Sequence, residues 1–122
     1  MPRRALPAWF WTAILLVLCL LPRHLTPERR SMTIPGGLPH LDKVVHVAMF
    51  AAFGLLWTRA VAPSRRARMI FVVGVMLAVG TELAQGLVVV DRDPDLLDAL
   101  ADVAGLLMGM ASYRLAPRFS TA

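Results

Sequence analysis

Four apolar stretches, at residues 6–21, 44–62, 69–90 and 96–115, take up most of this chain and leave little polar face on any of them. A helix needs about 20 consecutive apolar residues, within a range of roughly 17–25, to cross a bilayer. The second, third and fourth stretches meet that length, and the first reaches it with a residue or two added at each end. With 57% hydrophobic and 17% charged residues among 122, the composition is too apolar for a soluble domain of this size. The pattern predicts an all-α membrane protein: one domain over residues 1–122, built as a four-transmembrane-helix bundle. Its helices are expected at about 6–21, 43–62, 69–90 and 95–115.

Arg3 and Arg4 ahead of a short apolar core resemble the start of a signal peptide. However, Leu20-Leu21-Pro22-Arg23-His24 has no small-x-small cleavage site, and Trp9 and Trp11 suit an interfacial anchor, so the first helix is read as retained. Charge then orients the bundle. With both termini cytoplasmic (N-in/C-in), Arg3, Arg4, Arg59, Arg65, Arg66, Arg68, Arg114 and Arg118 lie inside. Arg23, Arg29, Arg30, Lys43 and Arg92 lie outside, together with all eight acidic residues. The arginines are scattered over short loops without interleaved aromatics, which fits contact with anionic lipid and gives no nucleic-acid signal. Cys19 is alone, so no disulfide or cysteine-based metal site forms within one chain.

Residues 22–42, rich in proline and glycine, form the longest connection. Asp42 is the expected N-cap of the second helix. Asp93, Pro94 and Asp95 read as N-cap, first helical position and first turn of the fourth. Short links make helices 2, 3 and 4 antiparallel neighbours.

Against this apolar background a few polar residues stand out. A carboxylate within a membrane helix is costly and is tolerated where it faces protein or water. Glu82 and Gln85 lie inside the third stretch, and His46, Asp98 and Asp102 lie in or at the edge of the others. At 1.5 Å per residue, Glu82 and Asp102 are each expected about 12 Å below the third loop, and His46 about 6 Å into helix 2. One end of the bundle therefore collects His46, Glu82, Gln85, Arg92, Asp98 and Asp102. Asp98, Asp102, Gly105 and Gly109 run i, i+4, i+7, i+11 along one helix stripe. Gly105 and Gly109 make a GxxxG pattern for close helix packing, with a homodimer as one expected use. His46, Phe50, Phe53 and Trp57 follow a similar stripe on helix 2, whose aromatic part reads as packing.

Carboxylates this close cannot all stay charged and unpaired, so a hydrogen-bonded network with shared protons is expected. His46, Glu82 and Asp98 are the candidate catalytic groups. Lys43, Gln85, Arg92 and Asp102 are the candidate binding groups, with Arg92 suited to an anionic headgroup. Metal binding by His46, Glu82 and Asp98 or Asp102 is chemically possible, but one histidine among carboxylates has no zinc-specific spacing, and no metal or other cofactor is expected. No phosphate loop, nucleophile elbow, HExxH or CxxC motif is present.

Asp42-Lys43-Val-Val-His46 with Phe50 and Gly54, then Glu82-Leu-Ala-Gln85, then Arg92-Asp-Pro-Asp95-Leu-Leu-Asp98-Ala-Leu-Ala-Asp102-Val-Ala-Gly105 with Gly109 beyond, follow one another in order. In these segments the chain resembles the VanZ-like family of small bacterial membrane proteins. The resemblance puts family positions on Asp42, Lys43, His46, Glu82, Gln85, Arg92 and Asp98. The family usually has asparagine where this chain has Asp102, and commonly Pro-Gly where it has Val90 and Asp91. The resemblance implies a multi-pass protein of the bacterial plasma (inner) membrane that binds or modifies a lipid-linked cell-envelope component. The family's named member is linked to glycopeptide resistance. Competing expectations are a small proton-coupled transporter and a structural partner of a larger membrane complex.

Overall fold

The computed structural model describes residues 3–22, 25, 41–61, 66–87 and 93–115. A single 3₁₀ turn, Arg3–Ala5, leads into α1 (Leu6–Cys19), followed by α2 (Leu41–Ala60), α3 (Arg66–Gln85) and α4 (Leu96–Leu115). The chain is thus all-α among the described residues, and α2, α3 and α4 are each long and apolar enough to cross a membrane. α1 is not. Its 14 residues rise only about 21 Å, short of a hydrocarbon core about 30 Å thick. The expected helix over 6–21 stops early because Leu20 closes the last turn onto Leu16, and Pro22 turns the preceding backbone away from helix.

The third helix also differs from expectation, running three residues earlier at its start and five earlier at its end. Gly86 and Leu87 donate to the carbonyls of Leu83 and Ala84, an i to i−3 tightening that ends the helix. Glu82 therefore lies one turn from the end of α3 and not about 12 Å below it. α2 begins at Leu41, so Asp42 is in its first turn and is not its N-cap. The cap of α4 shifts from Asp93 to Asp95, whose Oδ1 accepts the Leu97 amide at 2.8 Å.

Why the bundle closes follows from where the side chains are small. Exposed positions are mostly apolar: Phe10, Met76 and Leu83 are each about 70% exposed. Such a surface suits lipid, not water. In lipid, burying more hydrocarbon gains little, so association rests on close packing and interhelical hydrogen bonds. α2 and α4 run parallel and form the tightest pair. A Cβ on Gly105 would strike the Val47 carbonyl, one on Gly109 the Ala51 carbonyl, and one on Gly54 the Leu106 carbonyl. Here the GxxxG face is occupied by α2 of the same chain, so the homodimer contact expected through Gly105 and Gly109 is corrected: that surface is not free. α3 packs its Ile70, Gly74, Ala78 stripe inward, with the Leu106 side chain lying over Gly74. α1 is tied to α2 by Trp11 Nε1 donating to the Met49 carbonyl at 2.9 Å and Trp57 Nε1 donating to Thr12 Oγ1 at 3.0 Å. Phe50, Leu15 and Leu106 have no exposed surface and form the centre.

The ends of this bundle differ in charge. The C-termini of α1 and α3 meet the N-termini of α2 and α4 at one end, and the described acidic residues lie toward that end. The described arginines, Arg3, Arg4, Arg59, Arg66, Arg68 and Arg114, lie toward the other.

Candidate functional site

Placed on helices that end together, the polar side chains converge. The N-terminal ends of α2 and α4 carry partial positive charge, which favours carboxylates in their first turns. Asp42 and Asp98 occupy those turns. Lys43, also in the first turn of α2, reaches across to α4, where its ammonium meets Asp98 Oδ1 at 2.5 Å and Asp95 Oδ2 at 2.5 Å. Its own neighbour Asp42 lies at 3.1 Å. Its three N–H groups thus face three carboxylates. Beside this ammonium the half-exposed Asp95 carboxyl is held below its ordinary range, helped by the Leu97 amide.

One turn deeper, His46 Nδ1 lies 2.8 Å from Asp102 Oδ1, and its Nε2 is 3.7 Å from Asp98 Oδ2. Asp102 is wholly buried and His46 is 8% exposed. Such a pairing holds the imidazole in one orientation and sets which nitrogen carries the proton. Glu82 comes in from α3. Its Oε2 accepts the Asp95 backbone amide at 2.8 Å, satisfying a donor at the start of α4. Glu82 Oε1 and Asp102 Oδ2 are buried and have no hydrogen-bond partner among the described residues. Glu82, His46 and Asp102 each place a donor atom within 4.8 Å of the others.

Gln85 plays a different part. Its Nε2 donates to the Cys19 carbonyl at 3.0 Å, filling one of the vacant acceptors at the end of α1. With 2% exposure it faces protein, so the structure gives a candidate binding residue a tethering contact. Gln85→Leu is expected to lower stability by about 0.6–1.7 kcal/mol, from the average to the largest coupling measured for polar contacts between membrane helices. Steric-trapping unfolding in bicelles checks this, and an unchanged value would show that the amide does not hold α1.

The structure brings His46, Glu82, Asp98, Asp102 and Lys43 to one place. Arg92 lies outside the described residues, as do His24, His40 and Asp91. From the sequence, Asp95 is expected only in the first turn of the fourth helix. In the fold it caps α4, pairs with Lys43 and donates to Glu82, joining three helices. The available signal was Lys43 itself, a cation in an apolar helix needing more than one acidic partner.

A polytopic α-helical membrane protein with buried ionisable side chains gathered at one end of its helices is the class these features define. The sequence model of the VanZ/LLP1 family matches residues 8–117, and the chain belongs to that family. Neither a curated protein nor a solved structure is significantly similar to it.

Proposed function

We propose that this is an envelope protein of the bacterial plasma membrane that binds or modifies a lipid-linked envelope or cell-wall component at the outer leaflet. The observation that carries the reading is the meeting of His46, Glu82, Asp98 and Asp102, all buried, at the bundle end opposite the arginines. Basic residues favour the cytoplasmic side, so that end faces outward with both termini inside. α1 serves as a fourth span in this reading. Its 3₁₀ turn adds about 6 Å to the helix, and local thinning of the bilayer covers the remaining mismatch.

In that arrangement His46, oriented by Asp102, and Glu82 are the acid–base candidates, with Asp98 beside them. Lys43 keeps the acidic ends of α2 and α4 together, and Arg92 is the residue suited to an anionic headgroup. The polar ends of the helices lie where a headgroup sits, while the apolar outer faces of α2–α4 meet the lipid chains.

The test is native mass spectrometry of protein gently extracted with its membrane lipids, comparing wild type with the Glu82→Gln/Asp98→Asn double variant. A discrete envelope lipid retained by wild type and lost by the folded variant is the expected result. If both carry only bulk phospholipid, the lipid reading fails.

A further inference from the structure

We infer that His46, Glu82 and Asp102 form a binding site for a divalent first-row transition-metal ion, of the manganese-to-zinc series. The inference goes beyond the lipid reading and does not depend on it. It starts from charge. Lys43 is the described cation nearest the cluster, and its N–H groups are already taken by Asp42, Asp95 and Asp98. Nothing of it remains for Glu82 or Asp102, which are 6% and 0% exposed.

The hydrogen bonds leave the same gap. Glu82 spends one oxygen on the Asp95 amide and Asp102 spends one on His46, while Glu82 Oε1 and Asp102 Oδ2 have no partner among the described residues. Buried carboxylate oxygens are normally satisfied by donors, ordered water or a cation, and a bare one costs free energy. Two bare oxygens beside an imidazole are a donor set without an acceptor for its electrons.

Geometry and ligand chemistry narrow the occupant. Ligand atoms on one ion with bonds of about 2.1 Å lie about 3 Å apart when adjacent and about 4.2 Å apart when opposite. The three side chains offer atoms within 4.8 Å of one another, so side-chain torsions must close up to about 2 Å to bring adjacent ligands onto one ion. Imidazole with two carboxylates suits manganese, iron or zinc better than magnesium or calcium, which take all-oxygen shells. Three protein ligands also leave a coordination position open. With the ion bound, His46 and Glu82 act as ligands and Asp98 stays as the neighbouring acid–base group. Sequence spacing makes this ligand set possible without singling it out, because its members are 20 to 56 residues apart and meet only when three helices assemble.

The full chain in nanodiscs, stripped with a chelator and dialysed against Mn²⁺ or Zn²⁺, is expected to take up one ion per chain by elemental mass spectrometry. The Mn²⁺ form is expected to show imidazole nitrogen coupling in pulsed electron paramagnetic resonance. Glu82→Gln and Asp102→Asn, checked for helicity, should each weaken binding more than about tenfold, the least that losing even an outer-shell partner costs. Asp93→Asn, an exposed carboxylate at the same end, should bind as wild type. Wild type that stays metal-free, an ion without nitrogen coupling, or unweakened binding by both variants overturns the site. The coupling experiment uses wild type alone, so a variant that fails to fold does not decide the matter. Metal retained without an envelope lipid would overturn the lipid reading and leave this site standing.

Discussion

Gly105→Ala is expected to destabilise the protein by about 1–2 kcal/mol, although alanine is the better helix former by about 1 kcal/mol. The added Cβ would sit on the Val47 carbonyl, with the Val47 C and Cα atoms both 2.9 Å away. Those are backbone atoms of an intact helix and cannot turn aside as a side chain can. α2 and α4 must therefore separate, and overpacking of this kind costs about 1–3 kcal/mol or more. Here the steric term outweighs the propensity gain. The damage reaches the site as well, since Val47 follows His46 and Gly105 is one turn beyond Asp102, so separation lengthens the His46–Asp102 contact. Gly109→Ala, whose Cβ would meet the Ala51 carbonyl, should behave alike. Gly80→Ala, with open space around it, should be neutral or slightly stabilising. Steric-trapping unfolding of the three variants in bicelles decides it. Equal stability for Gly105→Ala and Gly80→Ala would mean that the glycine face is not the α2–α4 contact.

The contrast among these glycines shows how far the sequence could be read. The i, i+4, i+7, i+11 spacing put Asp98, Asp102, Gly105 and Gly109 on one face, and all four are buried there. Spacing alone could not say whether that face meets α2 of the same chain or a second copy, because GxxxG serves both equally. Lengths were legible to a few residues where a proline or glycine punctuates the run. Gly86 and Leu87 continue the apolar pattern past the point where α3 ends, so hydrophobicity alone overran the helix. Gln85 illustrates the harder case. Its partner is a backbone carbonyl of Cys19, and main-chain acceptors left over at a helix end have no residue type to announce them. Asp95 was missed for a related reason: its capping role depends on the helix starting at Leu96, and Pro94 directed attention two residues upstream.

Lys43→Met should give the other large effect, a loss of about 2–3 kcal/mol. Methionine keeps the length and apolar stem of lysine, so the change removes a charge more than it removes volume. What it leaves behind is the Asp98 carboxylate, whose side chain is 8% exposed and whose nearest cation is gone. Removing one partner of a buried ion pair costs about 3–5 kcal/mol, because the remaining charge stays desolvated. The value expected here is lower, since the lysine side chain keeps 19% of its surface exposed and water reaches the pair from that side. The origin of the loss can be isolated. Asp98→Asn in the Lys43→Met background removes the stranded charge, so the double variant should recover more than half of the loss, and the two substitutions should be strongly non-additive. Asp95→Asn in the same background should recover less, because that carboxylate is 41% exposed and can be hydrated. Additive effects of Lys43→Met and Asp98→Asn would mean that the lysine acts through something other than Asp98. Non-additivity would instead make this pair the clasp that brings the starts of α2 and α4 together, and with them His46 and Asp102 one turn below.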